Sequence, residues 1–301
     1  MLAIIAPGQG AQTPGMLTAL IEDAENKALL AEWSKAIDLD LVRLGTTADA
    51  DEIKDTANAQ PLIVAAGLLG VRAIANEKFS HVAGHSVGEI TAAAIAGVLT
   101  PVDAMKLVRA RGIEMAKAAA AKPAGMAAVL GGERDVVLTA ISDLGLVAAN
   151  DNGGGQIVAA GDLEALGKLA PEGARVRPLA VAGAFHTTYM APAVDAVKSL
   201  AATLSVSDAK VGVISNKDGA VITSGREILD RIVNQISNPV RWDLCMESLV
   251  NVGVTGAIEV PPAGTLVGLI KRAIPTVEGF ALKSPDDVAS AKQFASSHGA
   301  K

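Results

Sequence analysis

His81-Val82-Ala83-Gly84-His85-Ser86-Val87-Gly88 is the stretch on which the reading of the fold turns. A short apolar strand runs into a glycine-bracketed bend, and an apolar helix is expected from about 89 to 97. Strand, sharp turn and helix in succession make the repeating unit of a parallel α/β sheet. Upstream, residues 2–6 read as a first buried strand, followed by the turn Pro7-Gly8-Gln9-Gly10. Helices are expected over 25–36 and 61–76, the second with Pro61 in its first turn, where the missing N–H has no partner to lose. Downstream of the bend, a helix is expected over 102–119.

The rhythm then changes. Residues 125–130 read as a strand, 134–144 as a helix and 145–149 as a strand; 156–160 is a strand, 163–169 a short helix and 174–180 a strand. This βαββαβ order is the ferredoxin-like arrangement. Asp151-Asn152-Gly153-Gly154-Gly155 supplies its central hairpin turn. A small inserted domain over 123–182 is therefore expected, interrupting a large α/β domain made of 1–122 and 183–301. In the second part of that domain, helices over 190–204, 225–237 and 265–273 and strands over 211–215 and 256–260 resume the α/β pattern.

Composition narrows the possible functions. Half of the chain is hydrophobic and only 19% is charged, enough apolar material for a sizeable core and too little charge for disorder. A net charge of -6 without a basic run argues against a nucleic-acid partner. Cys245 is the only cysteine, and His81, His85, His186 and His298 lack metal-ligand spacing, so neither a disulfide nor a metal site is expected. The first apolar run is cut at Pro7-Gly8, and nowhere are there roughly 20 uninterrupted apolar residues. A cytoplasmic protein with no membrane partner is the expectation, and a monomer is the default.

Gly84-His85-Ser86-Val87-Gly88 also fits G-x-S-x-G, the pattern of a serine held at a strained strand-to-helix corner. The glycines allow the tight bend, and the N–H of Val87 points toward a developing oxyanion. The competing reading is a glycine-softened turn with a serine N-cap, with Glu89 at the capping-box position. A serine hydroxyl needs a base. His85 is adjacent but would point away from the corner, His81 begins the strand, and His298 lies in a polar C-terminal tail. That leaves His186, between the insert and the helix over 190–204, at the lip of an interdomain cleft.

Five motifs appear in order: Gly8-Gln9-Gly10-Ala11-Gln12, Gly84-His85-Ser86-Val87-Gly88-Glu89, Arg111-Gly112, Phe185-His186 and Asn238-Pro239-Val240-Arg241-Trp242. From about residue 4 to 274 the chain resembles the malonyl-CoA:acyl-carrier-protein transacylase family, related to the acyltransferase domains of fatty acid and polyketide synthases. The resemblance implies an α/β-hydrolase-like large domain with a ferredoxin-like insert. It also implies Ser86 as nucleophile, His186 as its base, and Gln9 and Val87 as oxyanion donors through their backbones. Arg111 would pair with the malonyl carboxylate, and the Gln235 main-chain carbonyl would orient the histidine. Asn152 would lie near the cleft. Phe185 and Val87, each beside a catalytic residue, would shape the acyl pocket against an α-methyl branch. Malonyl-CoA and acyl carrier protein would be the partners, with no cofactor. The sequence departs from the family at Pro261-Pro262-Ala263-Gly264-Thr265, where many members have Gly-Pro-Gly and a basic residue.

Other readings compete. A thioesterase or lipase of the hydrolase class would place an Asp after the serine and its histidine late in the chain. A polyketide-pathway acyltransferase shares the same motifs. A non-catalytic docking subunit would not need Ser, His and Arg together.

Overall fold

Leu2–Ala6 is buried at every position, with alternate side chains facing opposite ways. Leu2, Ile4 and Ala6 join one apolar cluster, while Ala3 and Ile5 join another. A strand between two apolar layers has no polar face, which is why this segment reads as an unbroken hydrophobic run.

The computed structural model describes residues 1–299; residues 300 and 301, the end of the expected large domain, lie outside the described residues. The strands are β1 (Leu2–Ala6), β2 (His81–Gly84), β3 (Gly125–Gly131), β4 (Val147–Asp151), β5 (Gln156–Gly161), β6 (Ala174–Pro178), β7 (Gly212–Ile214), β8 (Val221–Ile222), β9 (Val240–Arg241), β10 (Gly256–Glu259) and β11 (Glu278–Ala281). The helices are α1 (Ala24–Ile37), α2 (Leu41–Thr46), α3 (Thr56–Arg72), α4 (Gly88–Ile95), α5 (Pro101–Ala121), α6 (Arg134–Asp143), α7 (Leu163–Lys168), α8 (Ala191–Ala201), α9 (Gly225–Gln235), α10 (Trp242–Asn251), α11 (Thr265–Ala273) and α12 (Val288–His298).

The first sheet runs β11-β10-β1-β2-β7-β8. Its pairs are parallel except for the β7–β8 edge. The second runs β6-β3-β5-β4-β9, antiparallel except for β4–β9. Strand β9 lies outside 123–182 and still pairs with β4, Asn150 opposite Val240. The small sheet is therefore not confined to the expected insert.

Several expected boundaries move for identifiable reasons. Helix α3 starts at Thr56 rather than Pro61, because the Asp55 side chain accepts from the Ala57 N–H and caps an earlier turn. Pro61 then sits inside the helix and cannot bond the Ala57 carbonyl one turn back. Arg109 Nη1 fills that gap, donating to Ala57 O at 2.8 Å. Strand β4 begins two residues late because Gly145 and Leu146 still close α6, their N–H groups donating to Ser142 O and Ile141 O. The segment expected as a polar tail holds α12 instead, and His298 stacks on Phe294 at 4.4 Å between ring centroids.

Candidate active site

The bend between β2 and α4 is built by two different constraints. Ser86 itself adopts left-handed backbone, φ 54°, whereas neither Gly84 nor Gly88 has a positive φ. The glycines are there for space. A Cβ on Gly84 would lie 2.0 Å from the Gly88 carbonyl group, and one on Gly88 would lie 2.3 Å from Ala6 O. As expected, the glycines let the chain bend tightly, by leaving room for this close approach, and the serine itself takes the unusual conformation. Nor does Ser86 cap the helix; the N-cap position is Val87, without a side-chain cap bond.

His186 approaches from the segment before α8 and is also left-handed, φ 60°. Its Nε2 lies 2.8 Å from Ser86 Oγ, and its Nδ1 lies 2.9 Å from the main-chain carbonyl of Gln235, at the end of α9. A carbonyl only accepts, so Nδ1 carries the proton and Nε2 is left free to accept from the serine hydroxyl. Burial, reinforced by the Arg111 guanidinium, pushes the imidazole pKa down to about 3. The ring is therefore neutral, as a proton acceptor must be.

Arg111 lies on α5 and is 1% exposed, so it is not a solvated helix-surface arginine. Nη1 donates to Gln60 Oε1 at 2.7 Å; Nη2 donates to Gln235 Oε1 at 3.0 Å and reaches Ser86 Oγ at 3.4 Å. Its Nε has no partner among the described residues. Burial lowers the guanidinium pKa to about 10, still charged at neutrality. No carboxylate lies within ion-pair distance of it among the described residues, and burial raises the Glu89 carboxyl well above its ordinary value, to about 8. The centre thus holds a positive charge beside the serine with only amide oxygens around it.

A cavity of about 300 Å³ opens over Ser86 and His186, with Gln9, Gln60, Asn152 and Phe185 among its walls. Met126 of β3 and Val158 of β5 face it as well, so the small sheet closes the cavity against the turns that follow β1 and β2 of the large one. The N–H groups of Gln9 and Val87 have no acceptor among the described residues. The Val87 side chain is fully buried and does not border the cavity, so it does not shape an acyl pocket as expected. Asn152 pairs with His85 Nε2 at 2.8 Å rather than with the serine. His85 does face this cavity, although its ring is turned to Asn152 and stands edge-on to Trp242. Around Pro261–Thr265, the buried Glu259 carboxylate accepts from the N–H groups of Gly264, Leu266 and Val267 and so occupies the N-terminus of α11.

Three neighbours of the serine were not expected in these positions: Gln60, Glu89 as an inward-facing group, and Asn216. Glu89 accepts from the Asn216 N–H at 2.7 Å and from the Gln235 side-chain amide. The available signal for Asn216 was its place just after an apolar strand, where α/β folds gather functional side chains. Among the described residues no cluster of potential ligands could hold a metal ion, and no helix is long and apolar enough to cross a membrane.

The acyl transferase domain family matches residues 4–291. A malonyl CoA-acyl carrier protein transacylase from Mycobacterium tuberculosis is 52% identical over 296 residues, covering 96% of this chain and 98% of that protein. A crystal structure from the same organism superimposes with a TM-score of 0.94 at 52% identity, covering 97% of this chain and 99% of that one. A malonyl-transacylase solved in complex with a type II polyketide acyl-carrier protein superimposes at 0.90 with 29% identity, over 97% of this chain and 99% of that one. The chain belongs to the acyl transferase domain family and, within it, to the malonyl CoA-acyl carrier protein transacylases.

Proposed function

We propose that the protein moves a malonyl group from malonyl-CoA to the phosphopantetheine thiol of acyl carrier protein, through a malonyl ester on Ser86. The observation that carries this reading is the neutral Ser86–His186 pair, 2.8 Å apart, with the unpaired Arg111 guanidinium 3.4 Å from the same hydroxyl. Ser86 Oγ attacks the thioester carbonyl carbon while His186 Nε2 takes its proton. The developing oxyanion is met by the N–H groups of Gln9 and Val87. As the C–S bond breaks, His186 returns the proton to the leaving CoA sulfur. The carrier thiol repeats the sequence in reverse, giving its proton to His186 as it attacks the ester and releases Ser86. Arg111 offers a planar pair of donors to the free carboxylate of the malonyl group. Serine, histidine and backbone supply every step, so the reaction as written draws on no cofactor.

The domain reading belongs to the same proposal. Strands β3 to β6 have the order β6-β3-β5-β4 in their sheet, which supports a ferredoxin-like insert over 123–182 with β9 added at its edge. The parallel sheet with its serine corner supports a hydrolase-like large domain. The setting would be cytoplasmic and the product would feed fatty acid synthesis. Intact mass after incubation with malonyl-CoA tests the reading. The wild type should gain one malonyl group and lose it when carrier protein is added, whereas Ser86→Ala should gain none. An adduct of full stoichiometry on Ser86→Ala would overturn the nucleophile.

A further inference from the structure

Strand β7 stops pairing with β2 at Ile214, opposite Ala83. Two residues later, Asn216 is completely buried. Its Nδ2 donates to Gly84 O at 2.7 Å, and its Oδ1 accepts from the Ser86 N–H at 2.8 Å. In a parallel ladder, the N–H and C=O of one residue make this same pair of bonds to the residues on either side of its partner. The Asn216 amide therefore stands where the next rung would be, with His85 as the residue bracketed. The chain of β7 cannot supply that rung itself, because it has already turned: Ser215 N bonds Ala220 O, and Gly219 N bonds Ser215 O.

The amide is itself held in place. The Asn216 N–H donates to Glu89 Oε1 at 2.7 Å, its carbonyl accepts from the Arg241 N–H at 2.8 Å, and its Oδ1 also accepts from Gln235 Nε2 at 2.9 Å. The backbone of Asn216 thus ties it to α4 and β9, while its side chain ties the nucleophile turn to the residue whose carbonyl faces His186. Left-handed backbone is disfavoured for serine, and Ser86 keeps it with the turn held on both sides. We infer that Asn216 is a positioning residue, a side-chain rung that extends the parallel ladder and holds Ser86 with its hydroxyl aimed at His186. The inference rests on Ser86 being the nucleophile.

The test compares Asn216→Ala, which loses both bonds, with Asn216→Asp, which at neutral pH keeps the acceptor and loses the donor. Acyl-enzyme formation is followed by rapid mixing with malonyl-CoA and intact mass, beside thermal melts and a Ser86→Ala control. In Asn216→Ala the acylation rate at saturating malonyl-CoA should fall about a hundredfold, the scale of a misplaced reacting group. The half-saturating concentration should stay within about threefold, since this residue does not hold the substrate. The Asn216→Asp rate, divided by that of the wild type, should rise as pH falls toward about 5, because a protonated carboxyl again offers both donor and acceptor. The titratable groups facing this amide are Glu89 on α4 and Cys245 on α10, with Arg111 on α5 reached through Gln235. They are present in both proteins and largely cancel in that ratio. A lowered melting temperature with wild-type acylation would make Asn216 a packing residue and overturn the assignment. So would a failure of both variants to fold, or a loss confined to the half-saturating concentration. If Ser86→Ala still gains malonyl, the nucleophile reading fails first, and the control tells that outcome apart.

Discussion

Arg111 is fully desolvated, and its charge faces amide oxygens instead of a carboxylate. Such a group interacts far more strongly with an incoming anion than an exposed arginine would. Arg111→Ala should therefore cost malonyl transfer about 3–5 kcal/mol, the range for breaking a buried pair. Acetyl-CoA, which has no free carboxylate, should lose much less. Parallel kcat/KM measurements on the two thioesters check this, and equal losses would make the arginine structural. Phe185 is 6% exposed and forms one wall of the cavity beside His186. A rigid ring there discriminates against an added methyl by overpacking, worth about 1–3 kcal/mol. Phe185→Ser should narrow the gap between malonyl- and methylmalonyl-CoA by raising the second. A fall in both rates with the gap unchanged would leave Phe185 as a core anchor only. Its partner in the original expectation, Val87, drops out because its side chain points into the core rather than the cavity.

At the scale of elements, the β2–α4 connection is set by backbone against backbone. The clash for Gly84→Ala is with the Gly88 carbonyl group, which cannot swing aside as a side chain could. Gly84→Ala should lower the melting temperature sharply, with a destabilisation above about 3 kcal/mol. Gly268, in the exposed face of α11, has nothing within 4 Å of its would-be Cβ. Gly268→Ala should stabilise by about 0.5–1 kcal/mol through helix propensity. The pair of melts checks whether glycine serves space at one site and costs stability at the other. Both glycines look alike in the sequence. Elements with clear periodicity or caps, such as β1, α5 and the strands of the insert, were legible there to within a few residues. Helices α2 and α10 and strand β11 were not. Tertiary packing rather than local propensity holds them.

Across the whole molecule, the buried charge network couples stability to pH. Glu89 has a folded pKa of about 8 against an ordinary 4.5. A raised carboxyl means that the folded state holds more protons than the unfolded one in that window. Its contribution is present below 4.5 and is lost as pH rises through about 8. His186 works the other way: depressed from 6.5 to about 3, its contribution is present above 6.5 and is lost as pH falls through about 3. Glu89→Gln should therefore flatten the decline of the melting temperature as pH rises from 4.5 to about 8. The amide adds a constant offset, so the slope is the readout. An unchanged slope would mean that another group governs the alkaline side.

Linear order alone determined the α/β rhythm, the serine corner and the candidates Ser86 and His186, because strands and turns are written in local patterns of apolar, glycine and polar residues, and the ordered motifs carried the family resemblance that pointed to Arg111. Only the tertiary structure decided how these residues meet. Ser86, Arg111, His186 and Gln235 come from four separate segments, and no local pattern encodes a 2.8 Å approach between residues a hundred positions apart. It also decided that Glu89 turns inward, that the Arg111 charge stays unpaired, and that β9 joins the small sheet. It brought Asn216 to the serine turn as well. Each of these depends on which polar groups are left without water once the two sheets and their helices close over them, a condition set by burial rather than by sequence neighbours.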